Sequence, residues 1–330
     1  SLDAFARCWV QEFSLLDAVA SALPGAKQAA FRSLREAWKA QRMAAYRASA
    51  EAVARYLATL AGDRERVAER RISSTIRKVG RAIGIGDDGK PDPEACAMQA
   101  LEERAAKNLR TLTDQLIAIH GLKGRAAEQV LQRLAADWSV DEPLNEGAFG
   151  TVGAILGGAI SGLAADLMAG GLTLGAGALA GAGLGALGAA GIARGYNVYK
   201  GKDGTTVSWG DAGLNRILKE SLLLYLAVAH FGRGRGEWSR SEHPAYWSST
   251  IEAAVAAQSG PLAEIWGGRT GLSGSDWLER RLSRVIDNLL GATLNQLYPD
   301  SQVFATEIFP RGGEGRHVPQ PAAHDPGFPQ

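Results

Sequence analysis

Cysteine is almost absent from this chain. Cys8 and Cys96 are the only two among 330 residues, and neither has a CxxC or Cys/His spacing around it. A disulfide framework is excluded, and both thiols are expected to be small buried core residues in a reducing compartment. Net charge is equally scarce, at +1. No global field draws the protein onto nucleic acid or anionic lipid, so any electrostatic targeting has to come from local clusters. Also missing is a basic stretch followed by an apolar core and a cleavage site, so no signal peptide is visible and a longer parent polypeptide is expected.

What the chain does have is a block almost empty of charge. Between Gly147 and Ala193, Asp166 is the only charged residue, and 30 of the 47 positions are Gly, Ala or Ser. Two apolar arms of about 20 residues, divided at Gly170-Gly171, are each long enough to cross or deeply enter a bilayer core of about 30 Å. In the first arm the side chains of Phe149, Val152, Leu156, Ile160, Leu163 and Leu167 fall together, and Gly150, Ala154, Gly157, Ser161 and Ala165 line the adjoining side. Gly177, Gly181, Gly185 and Gly188 do the same in the second arm, so two small-residue faces can meet as in GxxxG packing. Each helical Gly costs about 1 kcal/mol relative to Ala in water, a penalty that close backbone packing or hydrocarbon would offset. The strongly apolar side chains of the first arm supply only about −3 kcal/mol of insertion free energy, which makes insertion marginal. Asp166, close to the turn, suits a cap or a polar partner. Bilayer insertion, burial within protein, and a hairpin that stays in water until triggered, as in pore-forming toxins, all satisfy this composition.

On either side of the block the periodicity is helical. Phe5, Trp9, Phe13, Leu16 and Val19 predict a helix from Leu2 to Leu23, ended by Pro24-Gly25. A long helix follows toward Leu60, and Gly62-Asp63 interrupts it. From Arg64 to Arg81 there are seven basic and two acidic residues. Helical spacing puts Ile72, Ile76, Val79 and Ile83 on one face and Arg70, Arg77, Lys78 and Arg81 opposite, which suits anionic phospholipid as well as a solvated bundle face. GDDGKPDP marks a loop, with helices expected from Pro93 to His120 and from Arg125 to Trp138.

Downstream, Lys200 to Gly204 reads as a turn leading into an extended Thr205-Thr206-Val207. Helices are expected from Asp211 to Phe231, Ala245 to Gln258 and Ser275 to Leu297. Arg233 and Arg235, in a glycine-rich loop, suit phosphate contact or a simple helix stop. Trp209, Trp238, Trp247, Trp266 and Trp277 suit either interfacial anchors or a bundle core. From Pro299 onward a disordered tail is expected.

Together these readings predict an all-α protein: a stalk or bundle over 1–145, a glycine-zipper hairpin over 146–195, a helical unit over 196–298 and a tail over 299–330. No phosphate-binding loop is present, since Gly195 to Asp203 has the wrong spacing and Asp203 stands where Ser or Thr should ligate magnesium. The five histidines have no metal-ligand spacing, and no catalytic, cofactor-binding or metal-ligating residue is assigned.

Several phrases resemble a known family: VDEPLNEG at Val140 to Gly147, GLAADLMAGGLTLGAGALAGAGLGALG from Gly162, GIARGYN from Gly191, and LLLYLAVAHFGRGRGEW from Leu222 to Trp238. They resemble the C-terminal region of an uncharacterised bacterial GTPase family in which an Era-like G domain precedes a helical domain of unknown function. The opening LDAFARCWVQE is similar to that family's segment just after its G domain. The resemblance implies a GTP-binding module upstream in the same polypeptide, so no nucleotide-binding residue is carried onto this chain and no cofactor is expected in it. The expectation is therefore a non-catalytic membrane-association or effector region, with a buried-hairpin scaffold as the alternative. Membrane lipid and the upstream G domain are the expected partners, a homo-oligomer is compatible with the GxxxG faces, and no nucleic acid is expected. The expected location is the cytoplasmic face of the bacterial inner membrane, or the cytoplasm.

Overall fold

A single helix of 38 residues, α2 (Gly25–Gly62), organises the molecule. At about 1.5 Å per residue it is about 57 Å long. The structure, a computed structural model, describes residues 8–67, 93–122, 195–201, 204–230, 244–269, 275–299, 301 and 303–304. Pro24 sets the entry to α2, and the chain turns extended at Asp63, so the helix stops where Gly62-Asp63 predicts. Its second half carries the core face: Met43, Tyr46, Ala50, Val53, Leu57 and Leu60 recur at spacings of three and four and are all buried.

The first half of α2 pairs instead with α1 (Gln11–Ala22) to make a projecting arm. Arg35 holds Asp17 through two hydrogen bonds at 2.7 and 3.1 Å, and Trp38 donates from Nε1 to Glu12 at 2.8 Å. The amphipathic first helix is therefore present, with its first regular turn at Gln11 after a bend over Trp9 and Val10.

The rest of the bundle packs around the core half of α2. These helices are α3 (Pro93–Ile119), α4 (Asp211–His230), α5 (Pro244–Ala257), α6 (Ser259–Gly268) and α7 (Ser275–Leu297). α7 lies along α2 with Leu278, Leu282, Ile286, Leu289 and Leu290 buried, and Tyr46 donates across to the Asp287 carbonyl at 2.7 Å. α4 is heavily enclosed, and its stripe of Leu218, Leu222, Tyr225 and Ala229 is wholly buried. Residues before position 120 and after position 195 share one hydrophobic core.

Three short strands complete the fold: β1 (Arg64–Arg66), β2 (Tyr196–Gly201) and β3 (Gly204–Trp209), antiparallel in the order β1-β3-β2. With seven helices and this one small sheet among the described residues, the all-α expectation holds.

Several expectations need correction. Arg64–Arg66 is a strand, not the start of a helix, because pairing with β3 captures it directly after α2 ends. Cys8 is buried as expected, but Cys96 lies on the exposed side of α3. Two residues of the expected tail belong to the core, since Val303 and Phe304 are buried and Phe304 packs on Trp9 and Tyr46, with ring centroids 5.9 and 5.2 Å apart. α6 was not anticipated, because its Ser259-Gly260-Pro261 start and Gly267-Gly268 end look like punctuation. Yet proline is tolerated in a helix's first turn, where its missing N–H needs no partner. Trp209, Trp247 and Trp266 are core residues and Trp277 is partly buried, which selects the bundle-core reading for those four.

Candidate functional site

The residues singled out for the hairpin, from Gly150 to Gly188 with Asp166, Gly170 and Gly171 among them, lie outside the described residues. So do Arg70, Arg77, Lys78, Arg81, Arg233 and Arg235. What the structure does give is the set of anchors from which those segments depart and to which they return.

Gly195 is the anchor that follows the Gly/Ala block. Its carbonyl accepts the Gly210 N–H at 2.8 Å. A Cβ on Gly213 would stand 2.5 Å from that same carbonyl oxygen, so only glycine lets the first turn of α4 approach this closely. One residue later, Tyr196 stacks on Trp209 with centroids 4.9 Å apart and donates to Glu102 Oε1 of α3 at 2.6 Å. Glu102 is only 5% exposed, and burial pushes its carboxyl above the ordinary range while the Tyr196 bond pulls the other way. Arg269 closes the far side of this corner, reaching Asp211 at 2.6 Å and the Trp209 carbonyl at 3.2 Å.

A second anchor joins α2, β1 and α3. Arg104 grips both oxygens of Asp63 at 2.9 and 3.0 Å and reaches Glu65 at 2.7 Å. Its planar fork suits two carboxylates at once. Val67 donates to the Thr205 carbonyl at 2.8 Å, and Glu94 lies 3.7 Å from Lys200. The chain thus leaves after Val67 and returns at Pro93 at one end of the sheet, beside the β2–β3 turn.

The helix ends at which the chain next departs each carry a histidine. His120, just past α3, has Nε2 3.4 Å from Ser49 Oγ and its ring 5.8 Å from Tyr225. His230 ends α4, with Nδ1 2.6 Å from the Leu226 carbonyl and Nε2 bonded to the Tyr298 hydroxyl. Because a carbonyl only accepts, Nδ1 carries the proton and Nε2 takes the Tyr298 hydrogen. Burial lowers the pKa of both imidazoles to about 4.

Ser49 donates to the Ala45 carbonyl at 2.8 Å, so its hydrogen is committed within α2 rather than offered to His120 for nucleophile activation. Among the described residues no group of three or more His, Cys, Asp or Glu could hold a metal ion, and no helix is long and apolar enough to cross a membrane.

The outward face of the sheet escaped the sequence reading, because only the pairing register assembles it. The register sets Arg64 beside Ser208 and Asn197, and Arg66 beside Thr206 and Tyr199, all on the side opposite the buried Tyr196, Val207 and Trp209. An alternation of basic and aromatic residues in two separate stretches was the only available signal.

Residues 1–266 match the family described as Domain of unknown function (DUF3482), and the chain belongs to that family. No curated protein and no solved structure matches it significantly.

Proposed function

We propose that this chain is a non-catalytic membrane-association and effector region that works with a G domain in the same polypeptide, on the cytoplasmic face of the bacterial inner membrane. The GTPase link rests on the sequence resemblance alone. The observation that carries the membrane reading is the contrast between a 47-residue stretch with one charge and the rigid corner that receives its far end, where Gly195 and Tyr196 are fixed by backbone and side-chain bonds. A device that inserts needs a firm base through which the host responds, and the bundle supplies it. Membrane lipid is the proposed partner, and nucleotide state upstream is the proposed control.

Flotation of the full chain with liposomes, set against a chain lacking 147–193 and against Leu156→Lys/Leu163→Lys, tests this. Loss of flotation in both variants supports the reading, and equal recovery of all three in the soluble fraction removes it. A second reading, a helical interaction scaffold with the hairpin buried in protein, draws support from Leu15, Val19, Leu34 and Trp38, which stand exposed on the α1/α2 arm. It predicts a monodisperse, detergent-free protein that Gly181→Leu unfolds.

A further inference from the structure

We propose that the outward face of the β1-β3-β2 sheet is a docking surface for anionic phospholipid headgroups. The inference deepens the membrane reading given above and rests on it. Arg64, Arg66, Asn197 and Tyr199 are exposed there, with Thr206 and Ser208 half-buried between them. Neither arginine has an ion pair among the described residues. The one described acid on these strands, Glu65, points to the other side and is held by Arg104. The face thus offers two guanidinium groups with no ion pair among the described residues, hydroxyl and amide donors, and no described carboxylate, which complements a layer of phosphates.

Tyr199 gives the face its second character. It is 72% exposed, the most exposed large hydrophobic side chain among the described residues. An amphipathic ring on the same face as two arginines is the composition found where protein meets the headgroup level of a bilayer. Covalent connection then chooses the ligand. Asn197 is four residues from Ala193, a reach of at most about 14 Å, so β2 stays at the interface whenever the preceding apolar stretch enters lipid. Lipid is favoured over single-stranded nucleic acid because the face has one aromatic ring rather than a series of stacking platforms.

The test uses the full chain and vesicles of phosphatidylcholine with and without phosphatidylglycerol. Arg64→Glu/Arg66→Glu should weaken partitioning onto the anionic vesicles roughly tenfold or more and leave binding to phosphatidylcholine alone unchanged. Lys27→Glu/Arg32→Glu, on exposed arm positions, makes the same change in net charge and should shift binding less than twofold. An environment-sensitive fluorophore on Tyr199→Cys, in a Cys96→Ala background, should brighten with anionic vesicles, and the same label on Lys27→Cys should not. The proposal is overturned if the sheet variant binds as the wild type does, if the arm variant loses as much, or if the sheet variant loses single-stranded RNA binding instead. If removing 147–193 abolishes flotation but the sheet variant floats normally, the membrane reading stands and only this face falls. If the wild-type chain floats with neither vesicle, both fall.

Discussion

Tyr196 gives its phenolic hydrogen to Glu102 at 2.6 Å, and no basic side chain among the described residues pairs with that carboxylate. A buried carboxylate without a cation costs free energy when ionised, and a single hydrogen bond offsets only part of the cost. Glu102→Gln keeps an acceptor for Tyr196 and removes the charge, so it should leave stability at pH 7 unchanged or raise it. Tyr196→Phe leaves the carboxylate buried and unpartnered and should cost about 1–3 kcal/mol. Urea unfolding of both variants checks the pair; a Glu102→Gln protein much weaker than wild type would show that the ionised form is the one the fold needs. Because the carboxyl pKa is raised, this group alone makes stability fall as pH rises above the ordinary carboxyl range, and Glu102→Gln should erase that slope.

The two buried histidines act in the opposite direction. In the folded protein His120 and His230 stay neutral down to about pH 4, whereas the unfolded chain takes up those protons near pH 6.5. Between these values the unfolded state binds more protons, so stability that is fully present above about pH 6.5 is lost as pH falls toward 4. His230 faces the Leu226 carbonyl, the Tyr298 hydroxyl and the Trp247 ring, with His120 contributing a weaker repulsion. At about 1.4 kcal/mol per unit, its share is about 3 kcal/mol. His230→Gln should make the fall in melting temperature between pH 6.5 and 4 shallower, leaving the part due to His120, and cost about 1 kcal/mol at pH 7 through a poorer bond to Tyr298. An acid slope identical to wild type would show that His230 does not hold its neutral form. His120 is held down mainly by burial and secondarily by the Arg42 charge, so Arg42→Gln should raise its pKa by removing that repulsion.

Helices with a strong apolar stripe were legible because their periodicity is local. Leu278, Leu282, Val285, Ile286 and Leu289 sit where spacing puts them, and so do the ends of α2 and α4. The small sheet was less legible. Thr205-Thr206-Val207 reads as extended, but Tyr196–Gly201 is half polar and becomes a strand only through pairing with β3 and the stacking of Tyr196 on Trp209. Phe304 was hidden for a similar reason. A proline-rich, glycine-rich surrounding suggests a free tail, and only the Trp9 and Tyr46 rings, more than 250 positions away in sequence, show why it is held. The candidate binding face is harder still, because its six side chains come from three strands and no single window contains them.

The corner that receives the Gly/Ala block supplies a test in which two physical effects compete. Replacing a helical glycine by alanine ordinarily raises stability by up to about 1 kcal/mol, because alanine restricts the unfolded chain and suits the helix. At Gly267 a new Cβ would meet nothing within 4 Å, so Gly267→Ala should show that gain. At Gly213 the Cβ would lie 2.5 Å from the Gly195 carbonyl oxygen, and the contacted atom is backbone, which has no rotamer to yield. That carbonyl also accepts from Gly210, so moving it away from α4 weakens a second bond. The clash should outweigh the propensity gain, and Gly213→Ala should lower stability by about 1–3 kcal/mol. Hydrogen exchange gives the sharper readout: the Gly210 amide should lose protection in Gly213→Ala and keep it in Gly267→Ala. A stabilised Gly213→Ala protein with that amide still protected would mean that the strand entering from the Gly/Ala block is not clamped against α4, and the base proposed for the membrane device would be gone.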